Sequence, residues 1–357
     1  MTLHFSGVVL PEGEQRDLYV VDGFVTYEPV ASATTVARGG YLVPGLVDAH
    51  CHVGLAVDGG VPVEEQEAQA LADRDAGALL LRNPGTPVDT RWIDERADLP
   101  RMIRAGRHIA RTKRYLRNYG VEIEPSELVE TVVAQARAGD GWVKMVGDWI
   151  DREVGDLAPC WPLDSLRAGI AAAHAEGARV TAHVFGEPAL PDLLAAGIDC
   201  LEHGVGLSDA LLDDMAARGV ALVPTRLQVD NFEGFAAQGE AKFPAYASHM
   251  RALLGRVDDM IRNAYDAGVP LYAGTDAGGF LPHGLIGQEI VAMSSKSGIP
   301  AFDALGAGSW RAREWLGLNA TLDEGAPADF VVYEANPLDD LRVLLSPSRI
   351  VLRGSVY

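Results

Sequence analysis

Four histidines, a lysine and an aspartate stand in or just after short apolar runs. His50 closes LVDAH, and His52 follows two residues later. Lys144 sits inside GWVKMVGDW. His183 ends ARVTAH (178–183), His203 ends IDCLEH (198–203), and Asp276 ends PLYAGTD (270–276). Two histidines at i and i+2 on a strand share one face. Neutral imidazoles are good ligands for zinc and similar divalent metals. A carboxylate beside them can bind metal and shuttle protons. Lysine is the odd member, because an ammonium has no lone pair to offer a metal. It also lies among Trp142, Val143, Met145 and Val146, where a buried cation is costly unless something neutralises or uses it. The chain has four lysines (Lys113, Lys144, Lys242, Lys296) among 30 basic side chains, so a lysine kept here calls for a chemical reason.

These residues need strands to hold them. Short apolar segments alternate with amphipathic stretches such as EPALPDLLAAG and SDALLDDMAARG. Such alternation implies parallel strands joined by helical crossovers. A βα unit takes roughly 30 residues. The intervals His52–Lys144, Lys144–His183, His183–His203 and His203–Asp276 span 92, 39, 20 and 73 residues. They correspond to about three, one, one and two units, hence eight strands. ALLLR (78–82), PRMIRAG (100–106) and VALVPT (220–225) supply the strands in between. The fold expected is α/β, a (β/α)8 TIM barrel over 45–321, whose catalytic groups gather at the strand C-termini. The β-prone ends, 1–44 and 322–357, are each too small for a stable sheet, so they are expected to pair into one small β-sandwich domain. The stretch 226–262 is long for one crossover and should add a loop or helix near the rim.

Composition narrows the partners. The 357 residues are 48% hydrophobic and 22% charged, with a net charge of −20. That charge argues against nucleic acid or an anionic membrane and leaves a small-molecule substrate. Three cysteines (Cys51, Cys160, Cys200) are too few and too scattered for a disulfide framework. MTLHFSGVVL has no basic region followed by an apolar stretch, and no uncharged apolar run reaches the ~18 residues of a membrane span. A cytoplasmic location is therefore expected.

The motifs GLVDAHCH (45–52), WVKMV (142–146), VTAH (180–183), CLEHG (200–204) and AGTDAG (273–278) together resemble the metal-dependent amidohydrolase superfamily. The resemblance implies two divalent metal ions, zinc by default, bridged by a CO2-derived carbamate on Lys144 and by a hydroxide. It implies that His50, His52 and Asp276 hold the more buried metal, and that His183 and His203 hold the second. Asp276 would also pass a proton from the attacking hydroxide to the leaving nitrogen. The stretch from His174 to Thr225 and the C-terminal ADFVVYEANPLDDLRVLL look like the prolidase, carboxypeptidase-like and imidazolonepropionase-related branch. Dipeptides, N-acyl amino acids or cyclic amides are the implied substrates, and association into homo-oligomers is common in the family. Where that branch has a Gly-Gly-His loop after the third strand, this chain has RHIARTKRYLRNYG (107–120), so its pocket is expected to differ.

Substrate contacts are expected from Arg82 at the end of the second strand and from Arg114, Tyr115 and Tyr119 in the basic 107–120 loop, where Arg and Tyr can read a carboxylate. His283 follows Asp276 in DAGGFLPHG and is a further candidate. Cys51 should point away from its histidine neighbours into the core, and His174 should lie on an outer helix. The same ligands would also serve an ester, lactone or phosphoester hydrolase. A mononuclear deaminase or cyclic-amidine hydrolase would not need Lys144, and Glu187 lies one residue too far from His183 for the catalytic glutamate of that class. A barrel used only for binding would have lost ligands, and none is missing.

Overall fold

A computed structural model describes residues 2–357. The two chain ends are hydrogen-bonded into one seven-stranded sheet. Its order is Ser355–Val356, Arg349–Leu352, Phe330–Tyr333, Thr34–Pro44, Leu3–Val9, Glu14–Val21, Phe24–Thr26. Leu3–Val9 alternates buried and half-buried positions, the period-two pattern of a strand with one face on a core. Leu3, Phe5, Leu18, Val20 and Leu42 pack there with Leu322, Phe330 and Val351. The Phe5 and Phe330 rings meet edge-on at 4.9 Å. Burying one such ring contributes about 1.5–3 kcal/mol, so the two ends of the chain hold each other. The expected pairing of the two ends takes the form of one hydrogen-bonded sheet. Thr34–Pro44 bends where its register against Leu3–Val9 shifts. Gly40 sits there at φ +87°, and a Cβ would fall 2.5 Å from the Tyr333 carbonyl.

The middle of the chain is a mixed α/β body whose strands pair in parallel. Leu46–Asp48, Ala78–Asn83 and Arg101–Arg104 form one sheet. Gly120–Ile123, His108–Arg111, Trp142–Val146, Arg179–Val184, Cys200–His203 and Ala221–Val223 form the next, in that order. Single bridges carry the ladder onward from Leu222 to Leu271 and from Ala277 to Cys51. Ala78–Asn83, Trp142–Val146 and Cys200–His203 are buried at every position, as strands covered on both faces must be. Helices Val63–Asp75, Leu128–Ala138, Leu163–Ala175 and Asp209–Arg218 lie between them in sequence.

One expectation changes and one is sharpened. PRMIRAG is not one whole strand. Its first part, Arg101–Arg104, pairs with Ala78–Asn83, and the chain then kinks at Gly106 (φ +68°) before His108–Arg111 joins Trp142–Val146. The start of the basic 107–120 stretch is therefore strand, not loop. The long 226–262 stretch forms four helices, Arg226–Val229, Phe232–Gly239, Pro244–Leu254 and Val257–Asp266. No described helix is long and apolar enough to cross a membrane.

Candidate metal centre

All four strand-end histidines, Lys144 and Asp276 converge. His50 Nε2, His52 Nε2 and Asp276 Oδ1 lie 3.1 Å from one another. Beside them, His183 Nδ1 is 3.1 Å from His203 Nε2, and the His50 and His203 rings are 5.4 Å apart. Neighbouring ligand atoms on a metal with bonds of ~2.1 Å sit roughly 3.0–3.4 Å apart. Both sets have that spacing, and a nitrogen-and-carboxylate donor set suits zinc and its neighbours.

The tautomers suit ligation too. His50 Nδ1 meets Glu202 Oε2 at 2.7 Å, and His52 Nδ1 donates to the Gly85 carbonyl at 2.7 Å. Each leaves Nε2 with its lone pair toward the centre. His203 Nδ1 is held by Thr225 Oγ1 at 2.7 Å. Burial pushes His183 well below the usual histidine range, His203 down to about 3, and His52 down. His50 moves the other way: burial would lower it, but Glu202 raises it further. Asp276 is held well below the carboxylate range; burial opposes this, and His50 and His52 overcome it.

Lys144 is 1% exposed, in register with Thr181 of the next strand. Burial lowers its pKa, against the pull of Glu202 and Asp276. Its charge in turn lowers the proton affinity of His50, His52, His183 and His203. It therefore lies within Coulombic range of all four. Both Glu202 oxygens are occupied, Oε2 by His50 and Oε1 by Arg82 and Thr181, so Glu202 is not a dedicated partner for the ammonium.

The substrate candidates divide. Tyr115 and Tyr119 line a cavity of about 290 Å³ that opens onto His52, His183 and Asp276. Arg82 does not reach it. Arg82 is fully buried beneath the centre, 2.8 Å from Glu202 and stacked 4.1 Å over Trp142. Arg114 is also diverted, donating to Asp151 Oδ2 and to the carbonyls of Trp149 and Ala158, where it ties down the Asp148–Pro159 hairpin. His283 binds Asp73 at 2.8 Å and borders a separate shallow depression. In each case a buried or nearby carboxylate captured the cation. Cys51 is buried as expected, and His174 pairs with Asp199 at 2.8 Å.

Two residues escaped the sequence reading. Glu202 is a charge inside an all-apolar strand, the same anomaly that singled out Lys144. His108 is the other. The run Ala105-Gly106-Arg107-His108 has lost a glycine but kept the histidine of the expected loop. His108 is 1% exposed, its ring is 5.1 Å from that of His52, and neither ring nitrogen has a partner. Burial holds it neutral, well below the usual histidine range. A buried imidazole with both nitrogens free, on the cavity wall, is a donor waiting for a ligand.

A model of the amidohydrolase family matches residues 41–356. An uncharacterised protein of Mycobacterium tuberculosis is 52% identical over 356 residues, covering 99% of this chain and 95% of its own. Ochratoxinase of Aspergillus niger is 27% identical over 236 residues, 63% of this chain and 47% of that protein. Its crystal structure superposes with a TM-score of 0.79 at 19% identity, over 99% and 95% of the two chains. A Xaa-Pro dipeptidase with bound methionine superposes at 0.83 with 21% identity over the whole of both chains. At such identities the superpositions speak for the fold.

Proposed function

The chain belongs to the amidohydrolase family, and we propose that it is a binuclear metal-dependent hydrolase cleaving an amide-type C–N bond in a small molecule. The fold we propose is a closed (β/α)8 barrel over 45–321, with the terminal sheet of 1–44 and 322–357 as a small β-domain. The observation that carries the function is the pair of ligand sets, His50/His52/Asp276 and His183/His203, each spaced at 3.1 Å, with a buried lysine in Coulombic range of both.

His50, His52 and Asp276 would hold one ion, and His183 and His203 the other. Bound divalent metals supply Lewis acidity and a water that ionises near neutral pH. Lys144 would serve both sets as a carbamate, formed when its neutral amine adds to CO2 and releases one proton. An unaffordable cation thereby becomes an anion facing two cations. Burial, which lowers the lysine pKa, favours the neutral amine that this addition needs. Asp276 takes the proton of the attacking water and returns it to the leaving nitrogen. His108, neutral and unpartnered, donates to the substrate carbonyl oxygen as charge develops there.

The deaminase alternative finds no support at Glu187. That side chain is tied to His249 Nε2 at 2.7 Å and to Arg256, away from the ligand atoms. The test is metal analysis combined with a screen of N-acyl amino acids, dipeptides and cyclic amides. Close to two divalent ions per chain and release of amine are expected. Full activity with one ion, and a harmless Lys144→Ala, would overturn the binuclear reading.

A further inference from the structure

The helices of the 226–262 stretch do more than span a crossover. Phe232–Gly239 and Pro244–Leu254 fold over the cavity and place Phe235, Gln238, Lys242, Phe243 and Tyr246 on its wall. Tyr115, Trp149, Phe185 and Phe280 also line it, Phe185 packing on Phe232 at 4.6 Å. These rings already pack as aromatic pairs: Tyr115 with Trp149 at 4.8 Å and Phe235 with Phe280 at 4.9 Å. A further flat ring can join such a set by stacking or edge contact.

The charges on the wall are equally telling. Among the described residues lining the cavity, Lys242 is the single permanent cation and Asp276 the single carboxylate. Arg82 and Arg114, the arginines suited to a substrate carboxylate, are committed to Glu202 and Asp151. Asp276 is engaged with His50 and His52. A free dipeptide carries an ammonium and a carboxylate, and each needs a partner when it leaves water. This cavity has no spare anion for the ammonium. It has one exposed lysine for the carboxylate, on the helical hairpin.

We propose that this site takes N-acylated aromatic amides, with no free ammonium, and that the 232–246 hairpin selects them, Lys242 reading a carboxylate at the rim. The proposal rests on the hydrolase reading above but adds what that reading leaves open. The ring is held by aromatic walls, the blocked nitrogen removes the unpaired cation, and the anionic end stays near water.

The test uses the full-length, zinc-loaded protein with N-acetylphenylalanine, N-acetylglycine, Gly-Phe and N-formyl-Gly-Phe. Burying one ring predicts a kcat/KM for the phenylalanine amide about 10–100-fold above that for glycine. Formylating Gly-Phe is expected to raise kcat/KM at least ~10-fold, the smaller effect of removing an unpaired charge. Phe235→Leu should narrow the aromatic preference. Lys242→Gln should raise KM for N-acetylphenylalanine but not for its carboxamide. Equal use of Gly-Phe and its formyl derivative, or a preference for glycine, overturns the proposal. A Lys242→Gln variant that treats acid and carboxamide alike removes the role of that lysine. If none of the four is cleaved, the selectivity is decided by calorimetric titration of the zinc-loaded protein with the same four compounds, and the hydrolase reading is decided separately by the wider amide screen. Tighter binding of the blocked aromatic compounds supports the inference, and indifference refutes it.

Discussion

Glu202→Gln is expected to strike stability and metal binding together. In the parent, Oε2 accepts from His50 Nδ1 at 2.7 Å, while Oε1 accepts from Arg82 Nη1 at 2.8 Å and from Thr181. An amide has one acceptor side. Whichever way it turns, its NH2 faces either Arg82 or His50, both donors. Arg82 is fully buried, and its Nε and Nη2 already lack partners. Losing the carboxylate leaves a guanidinium supported by the Ala49 carbonyl and the Trp142 face. Breaking a buried pair from one side costs about 3–5 kcal/mol, which for a chain of this size lowers Tm by roughly 4–7 °C. Freeing the Nδ1 side of a metal-binding histidine costs about 10–100-fold in metal affinity. Calorimetry reads the first effect and chelator competition for zinc the second. The double variant Arg82→Met, Glu202→Gln separates them. With no stranded charge it should recover most of the stability, yet keep the weakened zinc affinity. The pH dependence has a definite sign. Burial would raise the Glu202 pKa, but Arg82, His50 and Lys144 hold it well below 4.5. Its contribution is therefore complete above the unfolded value near 4.5 and is lost as pH falls through the folded one. Parent and Glu202→Gln should differ by a constant amount from neutral pH down to about 5 and converge in acid. A variant melting within about 2 °C of the parent with unchanged zinc affinity would refute the reasoning.

Three further outcomes follow from the same geometry. Lys144→Ala should fall below two ions per chain by elemental analysis and lose activity, and short carboxylic acids that fill the gap should restore part of both; undiminished metal content counts against the carbamate. His108→Ala should cost about 10²–10³-fold in kcat, the scale of one oxyanion donor, with metal content and Tm kept, because no hydrogen bond of His108 is lost; a fall in Tm equal to that of a core truncation would mark it as structural. His249 lies between Asp156 at 3.0 Å and Glu187 at 2.7 Å, with Arg256 also on Glu187; burial lowers its pKa, but the two carboxylates carry it above 6.5. Its hold on helix Pro244–Leu254 is thus full below pH 6.5 and lost as pH rises through the higher folded value. Hydrogen exchange over 244–254 should quicken by up to about fivefold beyond the intrinsic rate in alkali, a cost of ~1 kcal/mol, and His249→Ala should abolish that pH dependence.

The centre was legible because its residues violate their surroundings. A histidine or a lysine inside VTAH or WVKMV has no reason to be there unless the strand end faces a site, and the unit-length intervals placed those ends on one side. What stayed hidden was partner choice. Arg82, Arg114 and His283 occupy positions along the chain that suit a substrate role. Whether a side chain reaches the cavity depends on which carboxylate lies nearer, and Glu202, Asp151 and Asp73 come from segments far away in sequence. Strand spacing carries no information about those pairings. His108 was obscured for another reason: Arg107 stands between Gly106 and His108, where the expected loop has a second glycine.

One architectural device recurs beneath the centre and explains how strained residues persist there. Asp276, His203 and Thr225 all have left-handed backbones, at φ 58°, 68° and 46°, each costing on the order of 1–3 kcal/mol outside glycine. Beside each ligand strand a buried acid gathers the backbone N–H groups of the following turn. Asp48 accepts from Thr275 N and His50 N, next to Asp276. Asp148 accepts from Phe185 N and Gly186 N, just after His183. Glu289 accepts from Arg226 N and Leu227 N, just after Thr225, whose hydroxyl holds His203. Burial pushes Asp48 up, Asp148 to about 7 and Glu289 to about 8, yet a carboxyl accepts from N–H in either protonation state. A backbone N–H at such a turn has no strand partner and would be costly if left unpaired. Two of the acids, Asp48 beside Asp276 and Glu289 after Thr225, oppose relaxation of those strained residues, while Asp148 fixes the turn after His183. The candidate ligand atoms are thus positioned by carboxyls outside the two ligand sets, and their spacing near 3.1 Å is a property of the folded chain itself.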